Sequence, residues 1–261
     1  MPGWTFESSS DAMRLGRIEG AAPPRAAPGT LTLLHPAAKP FLFAAALLPF
    51  AWLLYAAFAE TLGTNPAEKL LRATGDWTLR FICITLAITP LRQWAGLPAL
   101  ARFRRMTGLF AFFYACVHFL CYAWLDMGFE PIAIARDIPK RPFILVGTLA
   151  LVLLTPLAAT SFNRAIKALG AARWQLLHRL VYPIALLGVL HFFWMRAAKN
   201  NFAEVFAYAA IVAVLLGWRL RTRWAKQAQR SAPRQVEPPA PVFRENQAGA
   251  LAERISKTST P

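Results

Sequence analysis

Residues 106–125 read MTGLFAFFYACVHFLCYAWL, twenty positions without a formal charge, bounded by Arg104 and Arg105 on one side and Asp126 on the other. About 20 apolar residues in a helix cross the roughly 30 Å hydrocarbon core of a bilayer. Two similar uncharged runs cover residues 41–59 and 142–162. The whole chain agrees with this reading. Of its 261 residues 56% are hydrophobic and only 16% charged, and the mean hydropathy is +0.38, whereas a soluble domain carries about a quarter charged residues. The sequence specifies an all-α integral membrane protein.

The net charge of +16 raises nucleic-acid binding as a reading. The basic residues fall in short clusters between apolar runs, where they act as topology signals, so a nucleic-acid partner is not expected. The partner implied instead is the lipid bilayer. Cys83, Cys116 and Cys121 lie inside apolar runs without CxxC spacing and read as small buried hydrophobes. Residues 1–40 hold no early apolar core of a secretory signal, and the first hydrophobic run is expected to stay as an anchor.

Six transmembrane helices are predicted, at about 41–59, 77–94, 106–126, 142–162, 175–196 and 202–219. The second is the least apolar, with only residues 81–91 free of charge between Arg80 and Arg92; both arginines are near enough to the ends to snorkel outward. The flanks 1–40 and 221–261 are polar, rich in Pro and Ala and without periodicity, and are expected to be disordered and cytoplasmic. With the N-terminus inside, the inner segments as far as Arg230 hold sixteen Lys and Arg, including Arg102, Arg104, Arg105, Arg164 and Lys167. The outer loops hold seven: Lys69, Arg72, Arg136, Lys140, Arg141, Arg196 and Lys199. This bias predicts an N-in/C-in bundle spanning 41–220.

Chemistry is concentrated in the histidines. His118 lies deep in span three, while His178 and His191 sit at opposite ends of span five. Imidazoles at membrane depth are costly without a partner or a task. At 1.5 Å per residue, His118 is about 18 Å from the inner end of its span and His191 about 22 Å from Leu176. The two rings are therefore level in the outer half of the membrane, on parallel helices. Such a pair forms a bis-imidazole site suited to haem iron. Zinc fits less well, because only Asp126 offers a further ligand at that depth. Phe110, Tyr114, His118 and Tyr122 recur every four residues, with Ala111 and Ala115 flanking them. This stripe suits a flat macrocycle, and equally suits ordinary helix packing.

His178 is about 20 Å below His191, at the inner face. Its level partner on span three is Arg104, followed by Arg105. Arginine binds haem propionates or a flavin phosphate rather than iron. An ideal helix sets His178 and His191 about 140° apart, and Pro183 between them is a candidate kink that changes this phase. His35, before Pro36, reads as a loop residue.

Several segments together resemble one family: Arg104-Arg105-Met106-Thr107-Gly108-Leu109, Tyr114 to His118, Arg141-Pro142 with the RPxxxxG spacing, Thr160-Ser161, Trp174-Gln175-Leu176-Leu177-His178-Arg179, and His191-Phe192-Phe193-Trp194. The chain is similar over about residues 40–220 to the haem-binding membrane subunits of the bacterial periplasmic methionine sulfoxide reductase system, the MsrQ (formerly YedZ) family of the ferric-reductase-like transmembrane group. The resemblance implies haem b and an FMN, with His118, His178 and His191 as haem-associated histidines. It also implies quinol as electron source, an inner (cytoplasmic) membrane location, and a heterodimer with a periplasmic molybdopterin subunit that performs the sulfoxide reduction. Larger reductases of the group have a fourth histidine and a flavin domain, and no counterpart of either is expected in this chain. A ferric-chelate or superoxide-type reductase working with a separate flavoprotein shares the same haem core and is the alternative. A transporter whose histidines merely pack is a third reading.

Overall fold

Helices begin where the sequence stops them from beginning earlier. In the computed structural model, which describes residues 35–197 and 202–231, the second helix starts at Pro66 behind Asn65. The Asn65 side chain accepts from the Glu68 backbone N–H at 3.1 Å and donates to the Glu68 carboxylate at 3.2 Å. That is an N-cap followed by the one residue that needs no N–H in the first turn. Pro131 and Pro142 open two later helices in the same position.

The described elements are α1 (Ala38–Phe58), α2 (Pro66–Trp94), a 3₁₀ turn (Pro98–Phe103), α3 (Arg104–Cys121) and a π turn (Tyr122–Asp126). They continue with α4 (Pro131–Lys140), α5 (Pro142–Ala159), α6 (Asn163–Leu169), α7 (Ala171–Leu177), a 3₁₀ turn (His178–Leu180), α8 (Val181–Ala197) and α9 (Ala203–Ser231). No strand occurs among the described residues. The chain divides into two units, Met1–Trp218 and Arg219–Pro261. In the second, the described residues 219–231 are helical.

Within the first unit α2 packs along α3 and α5 along α8, and these four helices enclose the core. Leu86, Ala111, Tyr114, Ile184 and Ala185 are buried there. Alanines at 46, 111, 115, 150 and 185 let the backbones approach closely. The outward surface is apolar instead: Phe41, Phe58, Trp94 and Val214 are each at least 70% exposed. A soluble bundle would not tolerate such a surface, and a lipid-facing one requires it.

Among the described residues five stretches are long and apolar enough to cross a membrane: Ala38–Phe58, Pro98–Asp126, Pro142–Ala159, Ala171–Ala197 and Ala203–Gln229. They correspond to five of the six expected spans. The expected second span lies in α2, a helix of 29 residues that falls short in composition because it carries Glu68, Lys69, Arg72, Asp76, Arg80 and Arg92. Its buried residues run from Thr74 to Ile88, so much of its surface faces other helices.

Three details differ from the sequence reading. The loops at 131–140 and 163–169 are short helices, the first with a strongly amphipathic pattern. Span five is broken by the 3₁₀ turn at His178–Leu180. The last helix continues to Ser231, into the tail expected to be disordered, since Arg, Lys, Gln and Ala all favour helix without needing burial. The rest of that tail, residues 232–261, and N-terminal residues 1–34 lie outside the described residues, as does the loop lysine Lys199.

Candidate functional site

Span three carries His118 on α3 and span five carries His191 on α8, and the fold brings their rings to 6.0 Å between centroids, inclined at 83°. Each ring is fixed from behind by a different helix. His118 Nδ1 lies 2.9 Å from the backbone oxygen of Leu71 on α2, and His191 Nδ1 lies 2.6 Å from that of Phe143 on α5. A carbonyl oxygen only accepts, so both Nδ1 atoms carry the proton. Both Nε2 atoms are left with a lone pair, the tautomer a metal ligand needs.

Two glycines make this approach possible. A Cβ on Gly75 of α2 would stand 3.1 Å from His118 Cε1, and one on Gly147 of α5 would stand 2.8 Å from His191 Nδ1. The second distance is shorter than any real Cβ contact, so position 147 admits no side chain while His191 keeps its place. Gly147 is the glycine of the RPxxxxG stretch, which gives that spacing a steric meaning.

The histidines face a cavity of about 300 Å³ between α2, α3, α5 and α8. Toward the middle of the bundle its walls are apolar, including Ile82, Ala115, Leu151, Leu154 and Ile184. At the end near α4 they become polar, with Arg72, Asp76, Tyr122, Asp126 and Arg141. A one-electron carrier with an apolar body fits this environment, and so does imidazole ligation of its metal. No group of three or more His, Cys, Asp or Glu able to hold a bare metal ion occurs among the described residues.

The remaining expected site residues lie elsewhere. Tyr114 does not line the cavity: its hydroxyl donates to Ala46 O at 2.9 Å and accepts from Phe50 N–H at 3.1 Å, both on α1. Its ring is fully buried against Phe81 and Trp77. The four-residue stripe on α3 thus divides, with Phe110 and Tyr114 packing into the core while His118 and Tyr122 face the cavity.

His178, Arg104 and Arg105 belong to the opposite end of the bundle. The His178 ring stacks on Trp174 at 3.9 Å, and its Nδ1 is 3.0 Å from Trp174 O. Trp174 Nε1 donates to Thr160 O at 3.0 Å. Arg105 donates to the neighbouring Ser161 O at 3.2 Å and to Asn163 Oδ1 at 2.8 Å, while Arg104 is hydrogen-bonded to Thr89. Thr160-Ser161 is therefore the joint between Arg105 and the Trp174–His178 stack. Sequence reasoning missed the carbonyls of Leu71 and Phe143, which carry no side-chain signal, and the cavity-lining arginines Arg72 and Arg141, which it read as boundary charges.

Residues 73–189 match the family model described as the ferric reductase like transmembrane component. The protein-methionine-sulfoxide reductase heme-binding subunit MsrQ of Polaromonas naphthalenivorans (strain CJ2) is 72% identical over 198 residues, which are 76% of this chain and 90% of that protein. The subunit of the same name from Herminiimonas arsenicoxydans is 52% identical over 205 residues, 78% of this chain and 92% of that protein. That of Bordetella pertussis is 50% identical over 189 residues, 72% and 91%. No solved structure matches. A multi-pass helical bundle with a histidine pair held between its helices, and relatives this similar over nine-tenths of their own length, lead to one conclusion: the chain belongs to the MsrQ family of ferric-reductase-like membrane proteins.

Proposed function

We propose that this protein is the membrane electron-transfer subunit of a periplasmic methionine sulfoxide reductase system. It takes electrons from the quinone pool and passes them through haem b to a separate molybdopterin-containing subunit, which reduces oxidised methionines in exported proteins. The observation that carries the reading is the His118–His191 pair. Two imidazoles sharing one metal, at about 2 Å per bond, hold their centroids about 6 Å apart; the separation here is 6.0 Å with both rings in the ligating tautomer.

His118 and His191 would bind the iron through Nε2, and the haem supplies one-electron redox chemistry when bound. The Leu71 and Phe143 carbonyls orient the rings and raise their basicity. The apolar walls keep water away. At the other end, the Trp174–His178 stack and the Arg104–Arg105 pair form the electron entry site, with an aromatic surface for a quinol head and cationic groups for an FMN phosphate. The six-span, N-in/C-in arrangement in the inner membrane puts this entry at the cytoplasmic side and the histidine pair near the periplasm. Sulfoxide reduction itself belongs to the partner of the heterodimer.

Absorption spectra and pyridine haemochrome counts on purified wild type, His118→Ala and His191→Ala test the pairing. Wild type should show a low-spin b-type spectrum and each variant should lose it, since one imidazole leaves the iron short of a ligand. A normal low-spin spectrum in either variant would sink the assignment.

A further inference from the structure

The haem reading leaves open which way the macrocycle lies in its cavity, and the wall chemistry decides it. A b haem carries two propionate carboxylates on one edge, and carboxylates in an apolar site are costly unless they are paired. We propose that Arg72 and Arg141 anchor these propionates, so that the haem enters with its carboxylate edge toward the α4 end of the bundle. This inference rests on haem binding by His118 and His191.

Arg72 and Arg141 are the only Lys or Arg side chains lining the cavity among the described residues. They stand on opposite walls, each beside a histidine anchor. Arg72 directly follows Leu71, whose carbonyl holds His118, and Arg141 is two residues before Phe143, whose carbonyl holds His191. Both are oriented in advance. Arg72 is paired with Glu68 at 2.6 Å, and Glu68 is bonded by Asn65. Arg141 Nε is paired with Asp137 Oδ1 at 3.0 Å, and Asp137 Oδ2 accepts from Tyr122 at 2.8 Å.

A guanidinium has five N–H donors in a planar fork, so one carboxylate partner does not exhaust it. Asp76 and Asp126 line the same end. Asp76 lies in the combined field of Arg80, Glu204, Arg196 and Arg72. Arg104 and Arg105 are unsuited to the role for this haem: they lie 13 to 14 residues from His118 along α3, about 20 Å away, and do not line the cavity.

The test compares binding of protohaem IX and its dimethyl ester to the full-length apoprotein in detergent, for wild type, Arg72→Gln, Arg141→Gln, the double variant, and Arg104→Gln/Arg105→Gln. Wild type should bind the free acid more tightly than the ester. Each single substitution should shrink that preference by about tenfold or more, as expected for loss of a charge-assisted contact. The double variant should bind both forms alike while keeping the low-spin spectrum, and the Arg104/Arg105 variant should keep the wild-type preference. If the double variant does not assemble, the single variants carry the same comparison. An unchanged acid-to-ester preference in the Arg72 and Arg141 variants overturns the proposal, as does its loss in the Arg104/Arg105 variant. Absence of a low-spin spectrum in wild type would instead remove the haem reading itself.

Discussion

Gly147 holds the tightest position in the site, because the His191 ring occupies the space its Cβ would fill. Gly147→Ala must push the imidazole away and lengthen its 2.6 Å bond to Phe143 O. Overpacking of this kind costs about 1–3 kcal/mol. Expected outcomes are a lower thermal midpoint and a low-spin haem signal that weakens or shifts. Gly75→Ala, with its nearest contact at 3.1 Å, should follow the same direction with a smaller effect. Electron paramagnetic resonance and thermal unfolding of both variants would check this, and a wild-type signal and midpoint in Gly147→Ala would refute it. The histidines themselves were legible in the sequence, since an imidazole at membrane depth is conspicuous. The groups that orient them were not, because a backbone carbonyl looks the same at every position.

The break between α7 and α8 answers a question of helix phase that the sequence posed. A 3₁₀ turn advances about 120° per residue against 100° in an α-helix. Three such residues at His178–Leu180 reduce the angle between His178 and His191 from about 140° to about 80°. Pro183 lies inside α8, which starts at Val181, and the change of geometry comes just before that helix rather than at the proline. The break also sets His178 over Trp174 and beside the Thr160-Ser161 joint. With His178 in an entry site apart from the histidine pair, His178→Ala should preserve the low-spin spectrum of the His118–His191 haem. Its reduction by quinol, followed by stopped flow, should slow by about tenfold or more, the loss expected when a hydrogen-bonding group is removed from a bound ligand. Disappearance of the low-spin signal in this variant would place His178 in the ligand set of that haem and defeat the prediction.

In the proposed N-in/C-in orientation, which rests on the charge bias of the loops, electron flow has a direction. With the cell interior negative, outward movement of an electron is favoured by up to about 2.3 kcal/mol per 100 mV if it crosses the full membrane. In the proposed system the acceptor docks at the end near the histidine pair, where α4 presents Arg136 and Lys140. Arg136→Glu and Lys140→Glu should slow reduction of the periplasmic partner and alter its salt dependence, with the haem spectrum unchanged. Steady-state transfer from quinol to the partner measures this, and unchanged rates at low salt would exclude α4 as the contact. Arg141 is a poor choice for this test, because its side chain lines the cavity.

By itself the sequence determined that this is a membrane bundle and where its apolar helices lie, because crossing a bilayer imposes a length and composition that few other structures share. It also determined the level pairing of His118 and His191, since helical rise converts residue number directly into depth. Rotation about the helix axis is another matter. Depth accumulates slowly with small errors, whereas facing direction turns by about 100° per residue and is reset by any 3₁₀ or π turn. Only the tertiary structure therefore decided that Tyr114 bonds α1 while His118, one turn further on, meets His191. The same packing chose the Leu71 and Phe143 carbonyls as ring anchors, required Gly75 and Gly147 opposite them, and turned Arg72 and Arg141 from boundary charges into walls of the cavity.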